Sequence, residues 1–80
     1  MIYGIPEGAV RLADLPAGSR GLVALIAPCN TARLARLASL GIITGTEIVL
    51  LQKRPSPVIR VGATTLAIGE EIAKEIYVRQ

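Results

Sequence analysis

The run Leu37-Ala38-Ser39-Leu40-Gly41-Ile42-Ile43-Thr44-Gly45-Thr46-Glu47-Ile48-Val49-Leu50-Leu51-Gln52 changes period in the middle. Before Gly41, Leu34, Leu37 and Ala38 fall on one helical face and Arg33, Arg36 and Ser39 on another. Asn30 or Thr31 is suited to cap the start of that helix, because a short side-chain oxygen there accepts an otherwise unpaired N–H. Gly41 follows the last periodic residue, where a left-handed residue ends a helix at least cost. Gly45 marks a second turn, and Glu47 to Gln52 then reads as a strand.

Outward from this passage the elements are short. Residues 1–10 carry Gly4, Pro6 and Gly8, show no period, and read as an irregular extension ahead of a domain over 11–80. Arg11 to Leu15 predicts one helical turn stopped by Pro16, and Pro16 to Ser19 a reverse turn. Gly21 to Ala27 is short, apolar and partly β-branched, which favours a strand, with Pro28 as its end. Downstream, Pro55-Ser56-Pro57 breaks the Glu47–Gln52 strand. Val58 to Val61 and Thr64 to Ile68 predict a hairpin closed by Gly62-Ala63. Glu70 to Lys74 reads as one helical turn with acids at its start, where the dipole favours them. Ile76 to Val78 reads as a closing strand. The expectation is a mainly β chain of about five strands that closes into a small barrel, with an inserted α-helix and a helical turn before the last strand. Its core is expected to hold Val23, Leu25, Leu34, Leu37, Ile48, Leu50, Val61, Leu66, Ile68, Ile72, Ile76 and Val78.

Composition narrows the chemistry. The chain has 80 residues, net charge +3, one cysteine and no histidine, tryptophan or phenylalanine. That is one domain, too small for a large internal catalytic cavity. A hydrophobic fraction of 51% excludes intrinsic disorder. Without histidine there is no histidine-based triad, zinc motif or proton shuttle. Ser19, Ser39, Ser56 and the threonines have no histidine base, Lys53 and Lys74 lie in polar surroundings, and no Gly-x-x-x-x-Gly-Lys loop occurs. A non-enzyme is expected. The N-terminal residues lack a basic segment and an apolar run, so no signal peptide is read. The longest uncharged apolar stretch, Gly21 to Pro28, is about a third of a bilayer span. The lone Cys29 fits a reducing compartment. A cytoplasmic chain without membrane insertion is expected.

Three motifs in order resemble the FeoA family, small cytoplasmic proteins of bacterial ferrous-iron uptake. Leu40-Gly41-Ile42-Ile43-Thr44-Gly45-Thr46-Glu47-Ile48 is similar to its Leu-Gly-x-x-x-Gly-Thr-Glu-Val signature. Leu12-Ala13-Asp14-Leu15-Pro16-Ala17-Gly18 is similar to its opening Leu-x-x-Leu-x-x-Gly. Leu66-Ala67-Ile68, Glu71, Ala73 and Ile76-Tyr77-Val78 are similar to its closing motif. The chain departs at Thr44, where the family has Pro, and at Gly69, where it has Arg. Its glycine at Gly62-Ala63 is displaced by one, and the Pro55-Ser56-Pro57 loop is short. The resemblance implies an SH3-like β-barrel with an inserted helix. It also implies a role as an accessory to the transporter FeoB, with the cytoplasmic GTPase domain as partner. The same barrel resembles the C-terminal domain of iron-dependent repressors, so a metal-responsive regulatory or dimerisation domain is the alternative. A small nucleic-acid-binding barrel is the third reading.

The candidate residues follow from charge and face. Arg33 and Arg36, with Leu40 and Ile43 at the helix end, would make an apolar spot rimmed by positive charge, the composition of a docking surface. Val49 and Leu51 alternate with inward-pointing Ile48 and Leu50, so they form the alternative interface, for a partner or a weak homodimer. Arg33, Arg36, Lys53, Arg54 and Arg60 are basic enough for nucleic acid. Tyr3 and Tyr77 are the only aromatics, however, so stacking platforms are missing and nucleic acid is not expected. Cys29 reads as a small residue at a junction. Glu71 and Glu75, four apart on a helix, can share a cation or form a solvated face. No cofactor and no metal site are expected, since nitrogen and thiolate ligands are almost absent.

Overall fold

The structure is a computed structural model that describes residues 4–27 and 30–80. Pro28 and Cys29, the expected strand stop and the candidate thiol, lie outside the described residues, as does Tyr3. The order is β1 (Ala9–Arg11), a 3-10 turn (Leu12–Asp14), β2 (Arg20–Ile26), α1 (Thr31–Ser39), β3 (Glu47–Gln52), β4 (Val58–Val61), β5 (Thr64–Ala67), α2 (Glu70–Ala73) and β6 (Ile76–Arg79). The strands form one antiparallel sheet in the order β1-β6-β2-β3-β4-β5.

Two features of the sheet order differ from the expectation. Ala9 and Val10 open β1, pairing with Arg79 and Val78, although three residues are too few to show a period in sequence. The hydrogen bonding also leaves the ring open. β1 takes the outer side of β6, which closure would need, and β5 is the other end of the sheet.

The buried side chains gather into one apolar cluster of Leu12, Leu15, Val23, Leu37, Ile42, Ile48, Leu50, Ile59, Val61, Ile68, Ala73, Ile76 and Val78. Leu66 and Ile72 pack against it half-buried. Leu25 misses the core because β2 is bulged. Val23 faces Val78 and Leu25 faces Tyr77, so Ala24 is the extra residue and the alternation flips there. Ile26, opposite Ile76, takes the inward position instead. A second bulge on β3, between Leu50 and Gln52, leaves Leu51 unpaired and exposed.

Asn30 rather than Thr31 caps α1, its Oδ1 accepting the Arg33 N–H at 2.6 Å. The helix end is a Schellman turn. Gly41 N–H donates to the Ala38 carbonyl at 3.0 Å and Ile42 N–H to the Leu37 carbonyl at 2.9 Å. The accompanying hydrophobic contact is Leu37 with Ile42, at 2% and 0% exposure. Gly41 has φ +88°, and a Cβ on it would stand 3.6 Å from Val61, so space is adequate but conformation is not. Gly41→Ala is therefore expected to cost about 1–2 kcal/mol in urea unfolding. Gly21 has the opposite constraint: a Cβ there would meet the Arg79 carbonyl oxygen at 3.0 Å, so only glycine lets β2 lie this close to β6.

Candidate functional site

α1 is rotated about one residue from the expected phase. Leu34, expected in the core, is exposed, and Arg33, expected opposite it on the solvent side, is half-buried. Leu37 is common to both phases, so the sequence pattern alone does not choose between them. Glu75 decides. Its carboxylate lies in the turn between α2 and β6, and Arg33 Nη1 donates to its two oxygens at 3.0 and 3.1 Å. Side-chain exposures of 30% for Arg33 and 15% for Glu75 set this pair apart from the solvated ones. The backbone adds a bond nearby, Ala27 N–H to the Glu75 carbonyl at 3.0 Å. Glu75 thus serves as an anchor for α1, and a cation shared with Glu71 is not what its geometry provides. Forty-two positions separate the partners, and no local spacing rule connects residues so distant.

By contrast, the exposed Arg11–Asp14 pair at 3.0 Å bridges one turn. Its hydrogen bond and charge raise the Arg11 guanidinium pKa above its usual value.

The Arg33–Glu75 pair fixes one wall of a groove of about 580 Å³. Arg36, Leu37 and Leu40 of α1 form that wall, and Leu66 to Gly69 with Ile72 form the other. Three of the four docking candidates, Arg33, Arg36 and Leu40, therefore border one concavity. The fourth, Ile43, stands in the turn beyond, at 51% exposure. Leu40 and Ile43 stay in solvent because Ile42 supplies the contact under the helix end. The far wall was missed because its residues look like an ordinary strand end and helical turn.

Val49 and Leu51 lie elsewhere. Val49 sits on the outer face of β3, half-buried, with Arg20 on β2 and Arg60 on β4 as its direct cross-strand neighbours. Leu51 is at the bulge, 40% exposed. Among the described residues no three His, Cys, Asp or Glu side chains gather as a metal site. No helix among them is long and apolar enough to cross a membrane.

Comparison with known proteins places these features in a family. The model of the FeoA domain matches residues 10–80. A crystal structure of the iron uptake regulatory protein FeoA is 32% identical, covers 89% of this chain and 95% of its own, and superposes with a TM-score of 0.78. The zinc complex of FeoA from Stenotrophomonas maltophilia, described as a procaryotic SH3 domain protein, is 27% identical. It covers 84% of this chain and 86% of its own, with a TM-score of 0.72. The T. acidophilum protein IdeR is 25% identical with a TM-score of 0.85; the match spans 96% of this chain but 36% of that one. No individual curated protein matches the sequence.

Proposed function

The chain belongs to the FeoA family, and from that premise we propose that it is a non-enzymatic accessory protein of ferrous iron transport, docking on the cytoplasmic GTPase part of a FeoB-type transporter. The observation that carries the docking step is the end of α1. Leu40 is exposed there beside Arg36, at 43%, and Ile43 in the turn beyond, at 51%. Exposed apolar side chains next to an arginine that lacks an ion-pair partner among the described residues have the composition of a contact surface. Arg33 takes a different part from the one its sequence position suggested: tied to Glu75, it positions the helix. The S. maltophilia relative is proposed to be a ferrous iron transport activating factor, which agrees with a role exerted on a transporter. Iron is the transporter's cargo in this reading, and the chain works by favouring one conformation of its partner.

Titration into the purified GTPase domain tests the proposal. Saturable binding that is lost in Leu40→Ser with Ile43→Ser supports it. Binding that survives those changes but is lost in Val49→Lys moves the contact to the outer face of β3, between Arg20 and Arg60.

A second reading, a metal-responsive regulatory or dimerisation domain, is favoured by the likeness to IdeR. It predicts a metal-dependent change of molecular mass, read by light scattering with and without Fe²⁺ or Mn²⁺.

A further inference from the structure

The free edge of β5 borders the groove. Ile68 N–H donates to the Pro57 carbonyl at 2.9 Å, which makes that pair a hydrogen-bonded one. The β4–β5 ladder continues from it without a shift, through Val58–Ala67, Ile59–Leu66, Arg60–Thr65 and Val61–Thr64. Antiparallel pairs alternate between bonded and non-bonded. Leu66 and Thr64 therefore turn their backbone groups to β4, and Thr65 and Ala67 turn theirs away from it. Strand edges are ordinarily blunted by charge, proline, a bulge or extreme shortness. The opposite edge, β1, is three residues long and ends in Arg11. Thr64-Thr65-Leu66-Ala67, four residues long, carries no charge, no proline and no bulge.

We infer that the slot between β5 and α1 receives an extended segment of the partner, which adds as a seventh strand on the Thr65 and Ala67 backbone. This rests on the docking role proposed above and names its mode. The slot's chemistry defines the segment. The charged side chains that line it, Arg33 and Arg36, are both basic. Arg33 already holds Glu75, so Arg36 is left to take a carboxylate. Leu40, Leu66 and Ile72 offer an apolar seat beside it. The segment is therefore extended, acidic at one position and apolar at a neighbouring one, with main-chain bonds giving affinity and the two side chains giving specificity.

Amide hydrogen exchange of the full chain, alone and with the purified FeoB GTPase domain, tests this. The expected result is exchange slowed at least tenfold at Thr65 and Ala67 on binding, with little change at Thr64 and Leu66, whose amides already bond to β4. Thr65→Pro, which removes an N–H the ladder does not use, is expected to weaken binding at least tenfold. Binding with unchanged exchange at Thr65 and Ala67, or a folded Thr65→Pro of full affinity, overturns strand addition and leaves the transporter reading standing. Absence of binding by the native chain overturns both. If Thr65→Pro fails to fold, the exchange measurement on the native chain decides alone.

Discussion

Leu37→Ala is expected to lower the free energy of unfolding by about 2–5 kcal/mol, read from urea denaturation. Leu37 is the α1 side chain buried in the core, at 2% exposure, and it supplies the contact with Ile42 that accompanies the Schellman turn. Its removal leaves a cavity and loosens the helix end together. A domain of this size holds roughly 4–12 kcal/mol in total, so the variant stands near the threshold of folding. Leu34→Ala, three residues earlier, is the matched comparison. Leu34 is 41% exposed, and its truncation is expected to cost less than about 1 kcal/mol. Equal losses at the two leucines would contradict the helix phase described above.

The two arginines of α1 are expected to diverge sharply on charge reversal. Arg33→Glu sets a second carboxylate against Glu75, which is 15% exposed and loses its forked hydrogen bond. Breaking a fully buried pair costs about 3–5 kcal/mol, and partial exposure reduces that to about 2 kcal/mol here. Arg36→Glu touches no ion pair among the described residues and is expected to stay within about 0.5 kcal/mol of the native chain. Thermal unfolding of the two variants side by side checks the difference. If both are neutral, Arg33 does not anchor the helix.

What was legible in the sequence is what local physics controls. Glu47–Gln52 and Val58–Val61 coincide with the expected strands, because alternating aliphatic runs bounded by Gly45, the Pro55-Ser56-Pro57 loop and Gly62 admit few alternatives. The Gly41 stop was legible because few residues other than glycine accept φ near +88°. The errors at Leu25 and Leu34 share a nonlocal cause. Leu25 was misplaced by a bulge at Ala24, which only pairing with β6 reveals. Leu34 and Arg33 exchanged faces because a carboxylate 42 residues away takes the arginine. Ile42 and Ile59 were left out of the expected core: Ile42 because it lies past the helix, and Ile59 although it shares parity with Val61. Composition singles out the proposed docking residues of α1, but the facing wall from Leu66 to Ile72 carries no signal until the chain folds it opposite the helix.

Docking through the groove-side end of α1 makes that surface the contact with the transporter's cytoplasmic GTPase part in the proposed function. Calorimetric titration of the native chain and of Arg36→Glu into that purified domain tests it most directly. Saturable binding by the native chain is expected, with at least tenfold weaker binding by Arg36→Glu, about 1.4 kcal/mol, and an unchanged melting temperature for the variant. No binding by the native chain, or equal affinity for the two, would contradict it.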